Sequence, residues 1–143
     1  MVPARISFVT LAVQDMLGMR AFFRSLGWDE APNSDDGHAT FRAGGASMML
    51  DPFGPLAEES GFAGARPPVG FRGFTLAINV ESAEAVDAAF AVVRAVGGAT
   101  VTAEPGEQYW GGYSGYFSDP EGNVWEIAYN PFVTFADNGA LVF

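Results

Sequence analysis

Glu126 stands inside the run Val124-Trp125-Glu126-Ile127-Ala128-Tyr129, whose composition is that of a β-strand. A carboxylate there is costly to bury unless it is paired, neutralised or put to use. Two readings are open. In one, Glu126 is hydrogen-bonded to Thr75 or a tyrosine and fills the floor of a cavity. In the other it binds a cationic or hydrogen-bond-donating ligand, or serves as a general base. A second group, Gln108-Tyr109-Trp110-Gly111-Gly112-Tyr113, sets aromatics on a glycine-flexible loop. These rings either cap the core or a subunit contact, or form a lid that stacks on a flat or cationic ligand. The lid, with Trp110 at its centre, is the expectation, because loop aromatics beside glycine are poor choices for core alone. His38 follows Asp35-Asp36-Gly37 in an expected loop. Metal sites need clustered ligands, so this lone histidine reads as a surface residue.

The bulk composition narrows the chemistry. A chain of 143 residues with 49% hydrophobic side chains is expected to fold as one domain around a sizeable core. Its net charge of −10 argues against nucleic-acid binding, which needs a basic footprint, and against anionic membrane surfaces. That charge suits a cationic ligand, and it equally serves solubility. There is no cysteine, which excludes disulfides, thiolate metal sites and a thiol nucleophile. All seven basic residues are arginine, so Schiff-base chemistry and lysine-dependent phosphate loops are also excluded. No signal peptide and no run long enough for a membrane span is read, and a cytoplasmic location is expected.

The elements that must position these residues come in two similar halves. Arg5 to Val13 is β-like, Asp15 is an N-cap, and Met16 to Leu26 has helical spacing with Met19, Phe22, Phe23 and Leu26 on one side before Gly27. In the second half Phe74 to Val80 is β-like and Ser82 is the N-cap. Ala83 to Val96 is helical with Val86, Phe90 and Val93 as its stripe, and Gly97-Gly98 ends it. Strands follow at Ala39 to Phe41 and Ser47 to Leu50, then at Ala99 to Ala103, Tyr113 to Phe117 and Val124 to Tyr129, with another short one near Trp28 to Ala31. Both halves therefore read β-α-β-β-β: module one over about 4–51, a Pro- and Gly-rich connector over 52–72, and module two over about 73–130. The tail, 131–143, reads as an added hairpin around Asp137-Asn138-Gly139, or as a dimer contact.

Strand alternation separates two faces. Val9, Leu11, Val13, Leu76, Ile78, Val80, Trp125, Ile127 and Tyr129 form a large apolar face that should pack under the helices. The opposite face carries Phe8, Thr10, Ala12, Thr75, Ala77, Asn79, Val124, Glu126 and Ala128. Its mixture of small, polar and apolar groups is that of a ligand cavity.

The doubled pattern resembles the vicinal oxygen chelate superfamily, which holds glyoxalase I, bleomycin-resistance proteins and extradiol dioxygenases. The likeness rests on Val9-Thr10-Leu11-Ala12-Val13-Gln14-Asp15, on Ala21-Phe22-Phe23-Arg24-Ser25-Leu26-Gly27-Trp28, and above all on Asp119-Pro120-Glu121-Gly122-Asn123-Val124-Trp125-Glu126. It implies an α+β fold, in which two β-α-β-β-β modules form curved mixed sheets around a cleft, and a homodimer. It also implies four strand positions that hold a divalent metal in the family's enzymes through His, Gln or Glu. Carried onto this chain they fall on Phe8, Leu50, Thr75 and Glu126, with Met48 as the fallback for Leu50. One carboxylate among Phe, Leu and Thr cannot hold a hard or borderline divalent ion. No metal and no other cofactor is therefore expected. The expected function is metal-free binding of a small aromatic or cationic molecule, with Phe8, Thr10, Leu50, Thr75, Trp110 and Glu126 lining the site. The alternative is a glyoxalase-like lyase or isomerase with Glu126 as its catalytic residue, with or without a metal. Retention of the fold for oligomerisation alone is the third reading.

Overall fold

A computed structural model describes all 143 residues, which fall into two compact units. The first comprises Met1–Pro67 with Phe135–Val142, and the second Pro68–Thr134 with Phe143.

In the first unit the order is β1 (Phe8–Val13), α1 (Met16–Ser25), β2 (Ala39–Ala43), β3 (Ala46–Pro52) and α2 (Phe53–Glu59). The sheet order is β1-β3-β2, with β1 parallel and β2 antiparallel to β3. The Asp15 carboxylate caps α1 by accepting from the Gly18 amide at 2.9 Å, which satisfies one of the orphan donors of the first turn. Met16, Met19, Phe22 and Phe23 recur at helical spacing and are buried, as are Leu11, Val13, Phe41, Met48 and Leu50 of the sheet. Each such side chain contributes about 1.5–3 kcal/mol by leaving water. Trp28 to Ala31 is not a strand: it makes a single antiparallel bridge, Glu30 to Phe41. The region read as a plain connector opens instead with α2, which packs against β1 and β3. Pro55 lies in the first turn of this helix, where proline costs no hydrogen bond.

The second unit holds β4 (Leu76–Val80), α3 (Ala83–Ala95), β5 (Thr100–Glu107), β6 (Tyr113–Ser118) and β7 (Val124–Tyr129), in the sheet order β4-β7-β6-β5. Ser82 caps α3 through the Ala85 amide at 3.1 Å. Val86, Phe90 and Val93 are buried, and Phe90 meets Phe117 edge-on, which in turn stacks on Trp125. β5 runs longer than the sequence reading and contains Pro105. An edge strand with irregular register between Val101 and Gly106 tolerates it.

The tail forms a hairpin of β8 (Thr134–Phe135) and β9 (Leu141–Val142). Its Asn138-Gly139 backbone lies against Gly44 in the β2–β3 turn. No helix is long and apolar enough to cross a membrane.

Candidate functional site

The open face of the second sheet carries the candidate site. In β7, Trp125 and Ile127 point to the buried side, so Glu126 must point to the other. Across the sheet, Glu126 lies between Ala77 on β4 and Tyr116 on β6. The Tyr116 hydroxyl donates to Glu126 Oε1 at 3.0 Å. Glu126 is thus paired with a tyrosine, one of the two partners the sequence allowed. Burial, followed by this bond to the carboxylate, pushes the Tyr116 phenol above its ordinary range.

Tyr116 forms part of the wall of an open cavity of about 900 Å³. Ser118 and Val124 line it from the sheet, Thr75 from the residue before β4, Thr102 and Ala103 from the edge strand, and Pro120 to Gly122 from the turn. The remaining wall is the segment Pro68 to Arg72. Arg72 fastens that segment to the turn: its guanidinium donates to Asn123 Oδ1, to the Glu121 carbonyl at 2.6 Å and to the Pro68 carbonyl at 3.3 Å. Its Nε–H is buried and has no partner. Sequence reasoning passed over both Arg72 and Tyr116. The signal for Tyr116 was available in the alternation of β6, whereas Arg72 sits in a stretch with no regular pattern.

The Asp-Pro-Glu-Gly-Asn element is structural. Asp119 is 3% exposed. Its carboxylate accepts from the amides of Glu121 and Asn123, from the Asn123 side chain and from the Trp125 indole. This turn supports the cavity wall and aims β7.

The other expected site residues are scattered. Thr75 lines the cavity. Phe8, 56% exposed, and the half-buried Thr10 lie on the open face of the first sheet. Leu50 does not: it is fully buried on the helix side of β3, as is the fallback Met48. The register supplies the reason. Phe41 pairs with Met48, whereas Phe117 pairs with Trp125, so the first hairpin is one residue shorter between equivalent points. Leu50 would match Glu126 only if the two hairpins were equally long, and a slip of one residue turns a strand position over. The counterpart of Glu126 is therefore Met49, which pairs with Thr40 and Thr10. Trp110 is not in the cavity wall; its ring lies so close over Gly112 that any Cβ there would collide with it. Tyr109 is fully exposed. The Trp110 ring closes on the loop's own glycine, and neither Tyr109 nor Trp110 is among the residues that line the cavity.

With the register corrected, the four positions hold Phe8, Met49, Thr75 and Glu126, which offer one carboxylate and one hydroxyl. No group of three or more His, Cys, Asp or Glu residues could hold a metal ion. These donors do not fit a resident divalent metal, which needs several oxygen or nitrogen ligands.

Among solved structures, the chain is similar to a glyoxalase-related enzyme from Fulvimarina pelagi, with 24% identity over 99% of each chain and a TM-score of 0.85. It is also similar to a glyoxalase/bleomycin resistance protein/dioxygenase family enzyme from Burkholderia phytofirmans, with 27% identity over 88% of this chain and 98% of that one, TM-score 0.78. A lactoylglutathione lyase from Agrobacterium tumefaciens aligns at 22% identity over 90% of this chain and 95% of that one, TM-score 0.65. No curated protein matches the sequence. The family profile matches residues 5–127 and so spans both repeats, and the chain belongs to the glyoxalase/bleomycin resistance protein/dioxygenase superfamily.

Proposed function

We propose that this protein binds a small, mainly apolar molecule in the open-face cavity of the second unit, without a resident divalent metal. The observation that carries the reading is the cavity itself: about 900 Å³, with mostly apolar walls and two anchored polar groups, Tyr116 held by Glu126 and Arg72 held by the Glu121–Asn123 turn. A ligand fits best that presents a hydrogen-bond donor or a positive charge to the Tyr116–Glu126 side of the cavity, away from the Arg72 guanidinium. The only carboxylate in hydrogen-bonding reach of Tyr116 accepts and does not donate, and the chain is strongly acidic. Thr75 and Ser118 add hydroxyls to the wall.

The test is a thermal-melt screen of aromatic amines and amidines against matched neutral and anionic aromatics. A ligand that binds the native state raises the melting point. Cationic aromatics should lead. For the best of them, Tyr116→Phe and Glu126→Gln should each weaken binding roughly three- to tenfold, the worth of one hydrogen bond. Equal affinity in both variants would remove the cavity from the function.

The protein is further read as a cytoplasmic homodimer. Exposed Phe62, Phe71, Phe132 and Phe143 support association. A monomer at micromolar concentration in sedimentation would overturn that part.

A further inference from the structure

A second constellation lies in the first unit, independent of the cavity above. His38 Nδ1 is 2.7 Å from Asp51 Oδ1, and His38 Nε2 is 3.2 Å from Thr40 Oγ1. The backbone fixes the arrangement. The Asp35 carboxylate accepts from the Gly37 and His38 amides, and Asp35 and His38 bridge through their main chains. His38 and Thr40 are two residues apart and share a face, and Asp51 lies on that same open face, between Ala12 of β1 and the position of His38. The histidine side chain is 36% exposed and the aspartate 24%, so the group is open to solvent.

The hydrogen bonds determine the proton positions. An ionised carboxylate only accepts, so Nδ1 carries the hydrogen. In the neutral imidazole Nε2 is then the acceptor, and Thr40 must be the donor. Nucleophile, base and orienting carboxylate are joined in series by these two hydrogen bonds, the connectivity that activates a hydroxyl for acyl transfer.

We propose that Thr40, His38 and Asp51 form a reactive site that takes acyl groups from activated esters of short, uncharged acids. Thr40 Oγ1 attacks the ester carbonyl carbon and its proton passes to His38 Nε2. The bond from that carbon to the leaving oxygen breaks, and the alcohol departs with the proton from Nε2. Water then hydrolyses the Thr40 ester: its proton goes to Nε2, the acid leaves and Thr40 regains its hydrogen. Thr40 and His38 are the catalytic residues, and Asp51 is a positioning residue. Neighbouring Thr10, Ala12 and Met49 on the same face offer small and apolar contacts, and the cation on that face, Arg42, is already paired with Asp29, hence the preference for an uncharged acyl group.

The chain suits a direct test, because it has no lysine, no cysteine and a single histidine. The probe is p-nitrophenyl acetate. The expected result is a stoichiometric burst of p-nitrophenol with one acetyl group on Thr40 by peptide mass spectrometry. Thr40→Ser should keep the burst and Thr40→Val should lose it, in protein that melts as the wild type does. His38→Gln should slow acetylation at least roughly 100-fold, the usual worth of general base catalysis. Asp51→Asn should slow it too, and should move the imidazole hydrogen off Nδ1 in the nitrogen NMR spectrum, a change that mere loss of packing would not produce. Acetylation confined to the N-terminus or to tyrosines, or a hydrogen on Nε2 in the neutral wild-type imidazole, overturns the proposal.

Discussion

Asp119→Ala should cost the fold more than any change in the cavity wall. Four donors converge on this carboxylate: the amides of Glu121 and Asn123 at 3.0 Å each, the Asn123 side chain at 2.8 Å and the Trp125 indole at 3.1 Å. The last three bonds are buried, and Asp119, Asn123 and Trp125 are each at most 5% exposed. A buried donor left without an acceptor costs about 1–3 kcal/mol. Water admitted to the vacated space recovers part of that, so the net loss should be about 3–5 kcal/mol. Total stabilities are about 5–15 kcal/mol, so a large share is at stake. The melting point should fall roughly 10–15 °C, taking about 3 °C per kcal/mol for a chain of this size. Asp119→Asn keeps one acceptor oxygen and turns an amide against a donor, and should lose about 2 kcal/mol. Urea unfolding followed by tryptophan fluorescence reads both values as shifts in midpoint at constant slope. A loss below about 1 kcal/mol for the alanine variant would refute the view that the motif is a structural hub.

In a spectrophotometric titration Tyr116 should ionise above the ordinary tyrosine value of 10.0. The fold thus holds this proton more tightly than the unfolded chain does. Its contribution is intact below about pH 10 and is lost as pH rises through the raised pKa. Glu126→Gln should bring the phenol down and flatten that decline; an unchanged titration would contradict the pairing. Protein purified without chelator should carry well under one equivalent of Zn, Ni, Mn or Fe by elemental analysis, and a stoichiometric metal would reverse the argument from the donor set. Gly98 has φ +88° and a Cβ there would lie 2.8 Å from Pro120 Cγ, so Gly98→Ala should lower stability by about 1–2 kcal/mol in thermal melts. No loss would refute the close approach of that turn.

The elements that the sequence made legible are those with local signals. Asp15 and Ser82 cap the helices named from them, and β7 begins and ends where the apolar run does. The helix Phe53–Glu59 was hidden, because it lacks a side-chain cap and its glycine and proline read as breakers. At the site, Glu126 and Thr75 were legible from alternation. Leu50 was misplaced because hairpin length is a property of pairing, which local composition does not encode. For the loop of Tyr109 and Trp110 composition leaves two arrangements open, because aromatics beside glycine can also close on the loop itself, as the Trp110 ring does over Gly112. His38 was dismissed as solitary since its partners, Thr40 and Asp51, are brought to it by the β2–β3 pairing.

The corrected register also explains why the two repeats differ in chemistry. The row Thr10–Met49–Thr40 of the first sheet corresponds to Ala77–Glu126–Tyr116 of the second. The next row holds Ala12, Asp51 and His38 in the first, and Asn79, Ala128 and Ser114 in the second. Each sheet therefore has one acidic row and one neutral row, and the acid has moved by two residues, roughly 7 Å along the strand. Two residues is the smallest shift that keeps a side chain on the open face. The neutral row of the second sheet holds Ser114, whose hydroxyl is buried and unpartnered, where the first sheet holds His38. A carboxylate introduced by Ala128→Glu would face that hydroxyl and test whether the row accepts a charge. Because Ala128 is 4% exposed, the added carboxylate would have only the neutral donors of its own row, Ser114 on one side and Asn79 on the other, against the desolvation of a full charge. The variant should lose several kcal/mol of stability, and a neutral outcome would mean that the open face is more plastic than its packing implies.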